Sequence, residues 1–114
     1  MTEIAPTREV GSVTIVTLRG RIELGEGTAI LRETIKDLLE KGRLTIILNL
    51  SEVTSMDSAG IAELIGAFVA LKTIGGELKL LKPTKKVLDM LEITRLSKVL
   101  NIRFEEEEAF RTSV

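Results

Sequence analysis

The sequence predicts an α/β fold, a mostly parallel sheet of about four to five strands with an antiparallel N-terminal edge strand and crossover helices. Three observations point to it. Short runs of β-branched and aliphatic residues alternate along the chain with longer segments whose apolar residues recur at helical spacing. Glycine stands where two predicted helices stop, at Gly42 and at Gly75-Gly76. Residues 44–50 (LTIILNL) are almost continuously apolar, the pattern of a strand covered by helices.

The elements follow in order. Residues 13–18 (VTIVTL) alternate aliphatic residues with Thr, the period of two expected of a strand with one better-buried face. Residues 4–10 are its candidate hairpin partner across a Gly11-Ser12 turn, and Pro6 confines that partner to a sheet edge. Between Gly25 and Lys41, the residues Ile30, Leu31, Ile35, Leu38 and Leu39 mark the apolar face of a helix. After the strand at 44–50, a second helix is expected from about Ser58 to Thr73, with Ile61, Leu64, Ile65, Phe68 and Leu71 toward the core. Residues 78–81 form a short strand, and Pro83-Thr84 opens a helix bearing Val87, Leu88 and Leu91. Residues 102–104 read as a last strand and 105–110 as a last helix. Alternation of this kind implies parallel strands joined by right-handed crossovers.

At 114 residues, with no linker or repeat dividing it, the chain is expected to form a single domain over 1–114. Hydrophobic residues make up 44 % and charged residues 29 %, a globular composition. Sixteen Lys and Arg against seventeen Asp and Glu leave a net charge of −1, so no overall field draws the chain to nucleic acid or an anionic lipid surface. The absence of Cys excludes disulfides, thiolate nucleophiles and Cys-ligated zinc. The absence of His removes the commonest general base and the Ser-His-Asp arrangement. Without Trp or Tyr, and with Phe68, Phe104 and Phe110 as the only aromatics, there is no platform for stacking bases. Hydroxyls, carboxylates, Lys, Arg and backbone remain, so the expectation is a protein that is no enzyme and needs neither cofactor nor metal. Met1 to Pro6 lack the basic and apolar regions of a secretory signal, and the most apolar stretch, 61–71, is broken by Glu63 and too short to span a bilayer. A cytoplasmic location without membrane insertion is expected.

The most informative segment is residues 49–61 (NLSEVTSMDSAGI). A buried strand ends there, a polar turn follows, and Asp57-Ser58 open an amphipathic helix. Locally, Asp57 or Ser58 serves as an N-cap, accepting a bond from an otherwise unpaired backbone N–H. The position carries a second meaning. A hydroxyl at the C-terminal end of a parallel strand lies where open α/β sheets place their ligands. A phosphate there would meet the positive end of a helix dipole. Thr54 and Ser55 add hydroxyls, first of all as turn formers.

This run resembles the phosphorylation-site segment of the anti-sigma-factor antagonists, the bacterial members of the STAS domain family. Leu18-Arg-Gly-Arg-Ile-Glu23 is similar to the family's L-x-G-x-[LI]-[DE], Ile74-Gly-Gly-Glu-Leu78 to the entry of the next strand, and Arg103-Phe104 to the approach to the last helix. The resemblance covers nearly the whole chain and implies a STAS-like fold. It implies that Ser58 is the serine phosphorylated by a partner kinase, with Asp57 as acidic neighbour and Gly60 keeping the helix start open for close approach. Glu23 falls where relatives more often have Asp, and Asn49 where Asp or Asn ends the buried strand. Ala59 replaces a frequent second hydroxyl. The implied partner-binding residues are Glu23, Asn49, Thr54, Ser55, Met56, Asp57, Ala59, Gly60 and Ile61. A second helical stripe (Ala59, Ala62, Gly66, Val69 and Thr73) either lets a neighbouring helix pack closely or continues that partner surface through Ala62, Gly66 and Val69.

By the same resemblance, the unphosphorylated protein binds an anti-sigma factor that is itself a serine kinase, and so releases a sigma factor. The kinase, holding ATP and magnesium, phosphorylates Ser58 and the complex dissociates; a phosphatase restores the binding form. The alternative is a non-switching STAS docking subunit of a stress-signalling scaffold or membrane transporter, with Ser58 as a cap. The intact Met56-Asp-Ser-Ala-Gly-Ile61 segment favours the switch. A nucleotide hydrolase is disfavoured, because Gly25-x-Gly27 lacks the third glycine and the Lys of either nucleotide motif and reads as a loop. Lys79, Lys82, Lys85 and Lys86, without an interleaved aromatic, read as solvated surface. Glu105 to Glu108 suit the first turn of a helix, where acids complement the dipole.

Overall fold

The computed structural model describes residues 2–4 and 7–111. Along the chain come β1 (Thr2–Ile4), β2 (Arg8–Val10), β3 (Val13–Ile22), α1 (Glu26–Glu40), β4 (Thr45–Met56) and α2 (Ser58–Thr73). Then follow β5 (Glu77–Leu81), α3 (Lys85–Ile93), a 3-10 turn (Leu96–Lys98), β6 (Asn101–Arg103) and α4 (Glu106–Phe110). β3, β4, β5 and β6 lie side by side in that order and run parallel. β1 and β2 both pair antiparallel with β3. The single edge strand expected over 4–10 is thus divided in two, and Pro6 lies outside the described residues. The sheet has six strands.

Parallel strands in sequence order send successive right-handed crossovers to one face of the sheet, and the packing agrees. Val16, Leu18, Ile46, Leu48, Leu78 and Leu80 of the strands meet Leu31, Ile35 and Leu38 of α1, Ile61, Leu64 and Leu71 of α2, and Val87 and Leu91 of α3. On the opposite face, Ile15, Ile47 and Leu81 are covered by Ala109 and Phe110 of α4. β4 is therefore buried on both sides at Ile46, Ile47 and Leu48, which is why these three positions in succession are apolar.

Two expectations change. β4 does not stop at Leu50 before a polar turn; it runs on to Met56. Beyond Asn49 it leaves β5 and stays paired with β3 alone, through two register shifts. Ser51, Glu52 and Thr54 are exposed while Val53 and Met56 are buried. The residues that read as a turn are the solvent side of a bulged strand. Lys79 is not solvated: only 2 % of it is exposed. Its Nζ donates to Ala109 O at 2.8 Å and to Arg111 O, and lies 3.8 Å from Glu77. Lys82, Lys85 and Lys86 are exposed, as expected.

Lys79 accounts for α4, a five-residue helix too short to stand alone. Glu106, Glu107 and Glu108 occupy its first turn, and the buried ammonium meets the carbonyls at its other end, so both ends of the dipole are complemented. Lys79→Met keeps the bulk but leaves those carbonyls without their donor. Unfolding free energy should fall by about 1–3 kcal/mol, with faster amide exchange across α4. An unchanged denaturation midpoint would show that something else holds the helix.

Candidate functional site

β3 and β4 end together, with Ile22 paired to Met56, and the residues that follow each strand assemble the site. Asp57 has extended backbone and caps α2: its Oδ1 accepts the Gly60 N–H at 2.9 Å. Its Oδ2 accepts the Leu24 N–H at 3.0 Å. One carboxylate thereby fastens the segment after β3 to the first turn of α2. The Leu24 N–H, then the Gly60 N–H, favour the charged form and hold the Asp57 carboxyl below its ordinary range. Alongside, Glu23 Oε2 accepts the Ser55 hydroxyl at 3.1 Å, tying the same two strand ends a second time.

Ser58 is what this arrangement leaves free. Of the two candidate caps the structure selects Asp57, and Ser58 becomes the first residue of α2, exposed, with no hydrogen bond from its hydroxyl among the described residues. It stands at the positive end of the helix dipole. Beneath it, Gly60 packs directly on the strand ends. A Cβ there would lie 2.2 Å from the Ile22 carbonyl oxygen and 2.6 Å from Met56 Cγ. The close approach expected at Gly60 is made by the chain's own β3 and β4.

The remaining expected site residues divide by burial. Met56 and Ile61 are 5 % and 6 % exposed and belong to the core. With buried Gly60 they support the site from below and offer a partner no side chain. Asn49 lies in the middle of β4, its Oδ1 accepting the Ser51 N–H at 3.1 Å. At about 3.3 Å per residue, on the order of 20 Å of strand separates it from Met56, so it is not part of the Ser58 cluster. Thr54 is exposed on the strand and Ala59 half-buried.

The second stripe of α2 is a surface and not a packing seam. Ala62, Gly66 and Val69 are exposed, and a Cβ on Gly66 would meet nothing within 4 Å. Glycine inside a helix costs about 0.5–1 kcal/mol relative to Ala, and no internal contact requires it here. Leu24 was not foreseen. It is 80 % exposed beside Ser58, on a turn between Glu23 and Gly25 where hydrophobic periodicity gives no signal. Also unforeseen is the Arg32–Glu63 pair joining α1 to α2, with Nε to Oε1 at 3.0 Å. Among the described residues no His, Cys, Asp or Glu cluster could hold a metal, and no helix is long and apolar enough to cross a membrane.

The family model of the STAS domain matches residues 5–109. The chain belongs to the STAS domain family. This STAS domain is 30 % identical over 92 residues to the anti-sigma-B factor antagonist of Bacillus subtilis, spanning 81 % of this chain and 83 % of that protein. It superposes on the crystal structure of a proposed anti-sigma factor antagonist from Thermotoga maritima with a TM-score of 0.85 and 28 % identity, over 91 % of this chain and 89 % of that one. The anti-sigma factor antagonist SpoIIAA in its unphosphorylated form shares the fold, with a TM-score of 0.71 and 20 % identity over 95 % of this chain and 92 % of its own.

Two predictions follow from the geometry. Gly60→Ala forces a methyl into the Ile22 carbonyl, so α2 must shift; overpacking of this kind costs about 1–3 kcal/mol, and thermal unfolding should show it. A melting temperature at or above that of the parent would contradict the close approach. Because the folded-state pKa of Asp57 lies below its unfolded value, its stabilisation is complete above the ordinary carboxylate range, about pH 4. It is lost as pH falls through the depressed value. Asp57→Asn keeps an acceptor but gains no proton, so urea unfolding in acid should depend less steeply on pH than in the parent. Identical acid slopes would remove Asp57 as a source of that dependence.

Proposed function

We propose that this STAS domain is an anti-sigma-factor antagonist controlled by phosphorylation of Ser58. In its unmodified form it binds a serine-kinase anti-sigma factor and frees a sigma factor. The observation that carries this reading is the exposed, unbonded hydroxyl of Ser58 at the start of α2, beside a Ser55 hydroxyl already committed to Glu23. A kinase needs an oxygen it can reach. Ser58 is exposed at the start of α2, whereas Ser55 is half-buried with its hydroxyl turned to Glu23. In the transfer, Ser58 Oγ bonds to the γ-phosphorus of kinase-held ATP as the bond to the bridging oxygen breaks. ADP leaves, and the hydroxyl proton passes to a base on the kinase. A phosphatase reverses the modification.

The partner contacts Ser58 and its exposed surroundings, Leu24 and Ala62, with Thr54 at the margin. Asp57, Glu23 and Ser55 position these groups, and Met56, Gly60 and Ile61 hold them from beneath. The magnitudes favour a switch in the interface. A phosphate at an exposed helix N-terminus changes stability by only about 0.3–1 kcal/mol. The same group, carrying about −1.5 to −2 charges, costs several kcal/mol when desolvated against a fitted partner surface. Each 1.4 kcal/mol is about tenfold in affinity. The likeness to anti-sigma-factor antagonists supports the same reading.

Incubation with the cognate kinase and ATP, followed by peptide mass spectrometry, should place the phosphate on Ser58. Ser58→Ala should still bind the kinase, and Ser58→Asp should bind at least about tenfold more weakly, a loss of roughly 1.4 kcal/mol or more. Phosphate mainly on Ser55 or Thr54 would overturn the assignment. Stable binding with no transfer of phosphate would identify a docking subunit instead.

A further inference from the structure

We propose, resting on the reading of Ser58 as the kinase's target, that Leu24 is the anchor by which this domain docks: its side chain enters an apolar socket on the kinase beside the site that receives Ser58. Exposure alone says little. Ile93, the last residue of α3, is as open to solvent as Leu24, and single exposed aliphatic residues are ordinary. What sets Leu24 apart is how it is held. Its N–H is donated to Asp57 Oδ2 at 3.0 Å, so its backbone lies against the residue that precedes Ser58. On one side, the Glu23 carbonyl accepts the Thr28 N–H at 3.2 Å, and the Glu23 carboxylate accepts the Ser55 hydroxyl. On the other, Gly25 donates its N–H to Thr28 Oγ1 at 3.2 Å and accepts the Ala29 N–H at 3.0 Å. Thr28, which fastens both sides, is buried.

The turn thus presents an aliphatic side chain from an ordered backbone, and Gly25 makes this possible. It has φ 110° and ψ −119°, a positive φ that glycine alone takes without strain. A turn already ordered loses little freedom on docking, so the gain from taking a leucine side chain out of water is kept as affinity. The protein itself makes no use of that side chain, which belongs to neither core cluster. Leu24 and Ser58 both adjoin Asp57, so a protein that engages the Ser58 hydroxyl covers Leu24 as well. The side chain has neither donor nor acceptor, so the surface that receives it is apolar.

The test is steady-state phosphoryl transfer from ATP and magnesium to the full chain by the serine-kinase anti-sigma factor of the same organism, with the concentration of the domain varied. Leu24→Ala should raise KM by about tenfold or more and leave kcat unchanged, as loss of uniform binding requires. Leu24→Met keeps volume and apolarity and should restore most of the parent's KM. Gly25→Ala adds a methyl that meets nothing within 4 Å but cannot hold the turn without strain. It should raise KM several-fold although Leu24 is intact. Circular dichroism melting checks that every variant stays folded. An unchanged KM for Leu24→Ala, with Ser58 still phosphorylated, overturns the anchor and leaves the reading of Ser58 standing. So does a fall in kcat alone, or a KM for Gly25→Ala equal to the parent's. Absence of transfer to Ser58 of the parent overturns that reading, and the anchor with it.

Discussion

The carboxylate of Asp57 is the point on which the functional end of the molecule depends. It accepts the Leu24 N–H with one oxygen and the Gly60 N–H with the other. Two stretches of chain distant in sequence, the exit of β3 and the junction of β4 with α2, are thereby held by a single group. The clamp works only because Gly60 carries no Cβ, so that α2 can rest on the Ile22 carbonyl. Capping and close packing are one constraint here. The cap satisfies a helix N–H that would otherwise be orphaned, and the missing side chain lets that N–H come within reach.

The chemistry of the site follows from what the clamp spends and what it leaves. Asp57 and Glu23 use up the acceptor and donor groups nearest the strand ends, including the Ser55 hydroxyl. Ser58 is left at the positive end of α2 with a free oxygen. A modification placed there adds charge to an exposed surface and breaks no internal bond. The proposed switch therefore resides in what can dock against Leu24, Ser58 and Ala62, while the core formed by Leu48, Leu64 and Leu71 is untouched.

Much of the fold was legible because burial leaves strong periodic signals. The apolar run 44–50, the apolar stripes of α1 and α2, and Gly75-Gly76 at the end of α2 all correspond to elements of the structure. The start of α2 at Asp57-Ser58, directly after a parallel strand, was legible from the change of pattern there. What escaped depended on irregular or distant geometry. The tail of β4 looked like a turn because its bulges put Ser51, Glu52 and Thr54 toward water. Lys79 looked solvated because its acceptors, Ala109 O and Arg111 O, are thirty and more residues away and are backbone atoms. Asn49 seemed close to Ser58 because a turn was assumed where extended strand runs. Leu24 gave no signal, since a lone apolar residue in a turn has no period.

The central claim, that phosphate on Ser58 acts on the surface and not on the fold, is tested most directly by thermal unfolding of the free protein. The comparison is between unmodified chain and chain carrying phosphoserine at position 58, under identical buffer conditions. The account predicts a change in stability of at most about 1 kcal/mol, a shift of a few degrees for a domain of this size. A loss of several kcal/mol, or loss of the cooperative transition, would contradict it and place the switch inside the fold.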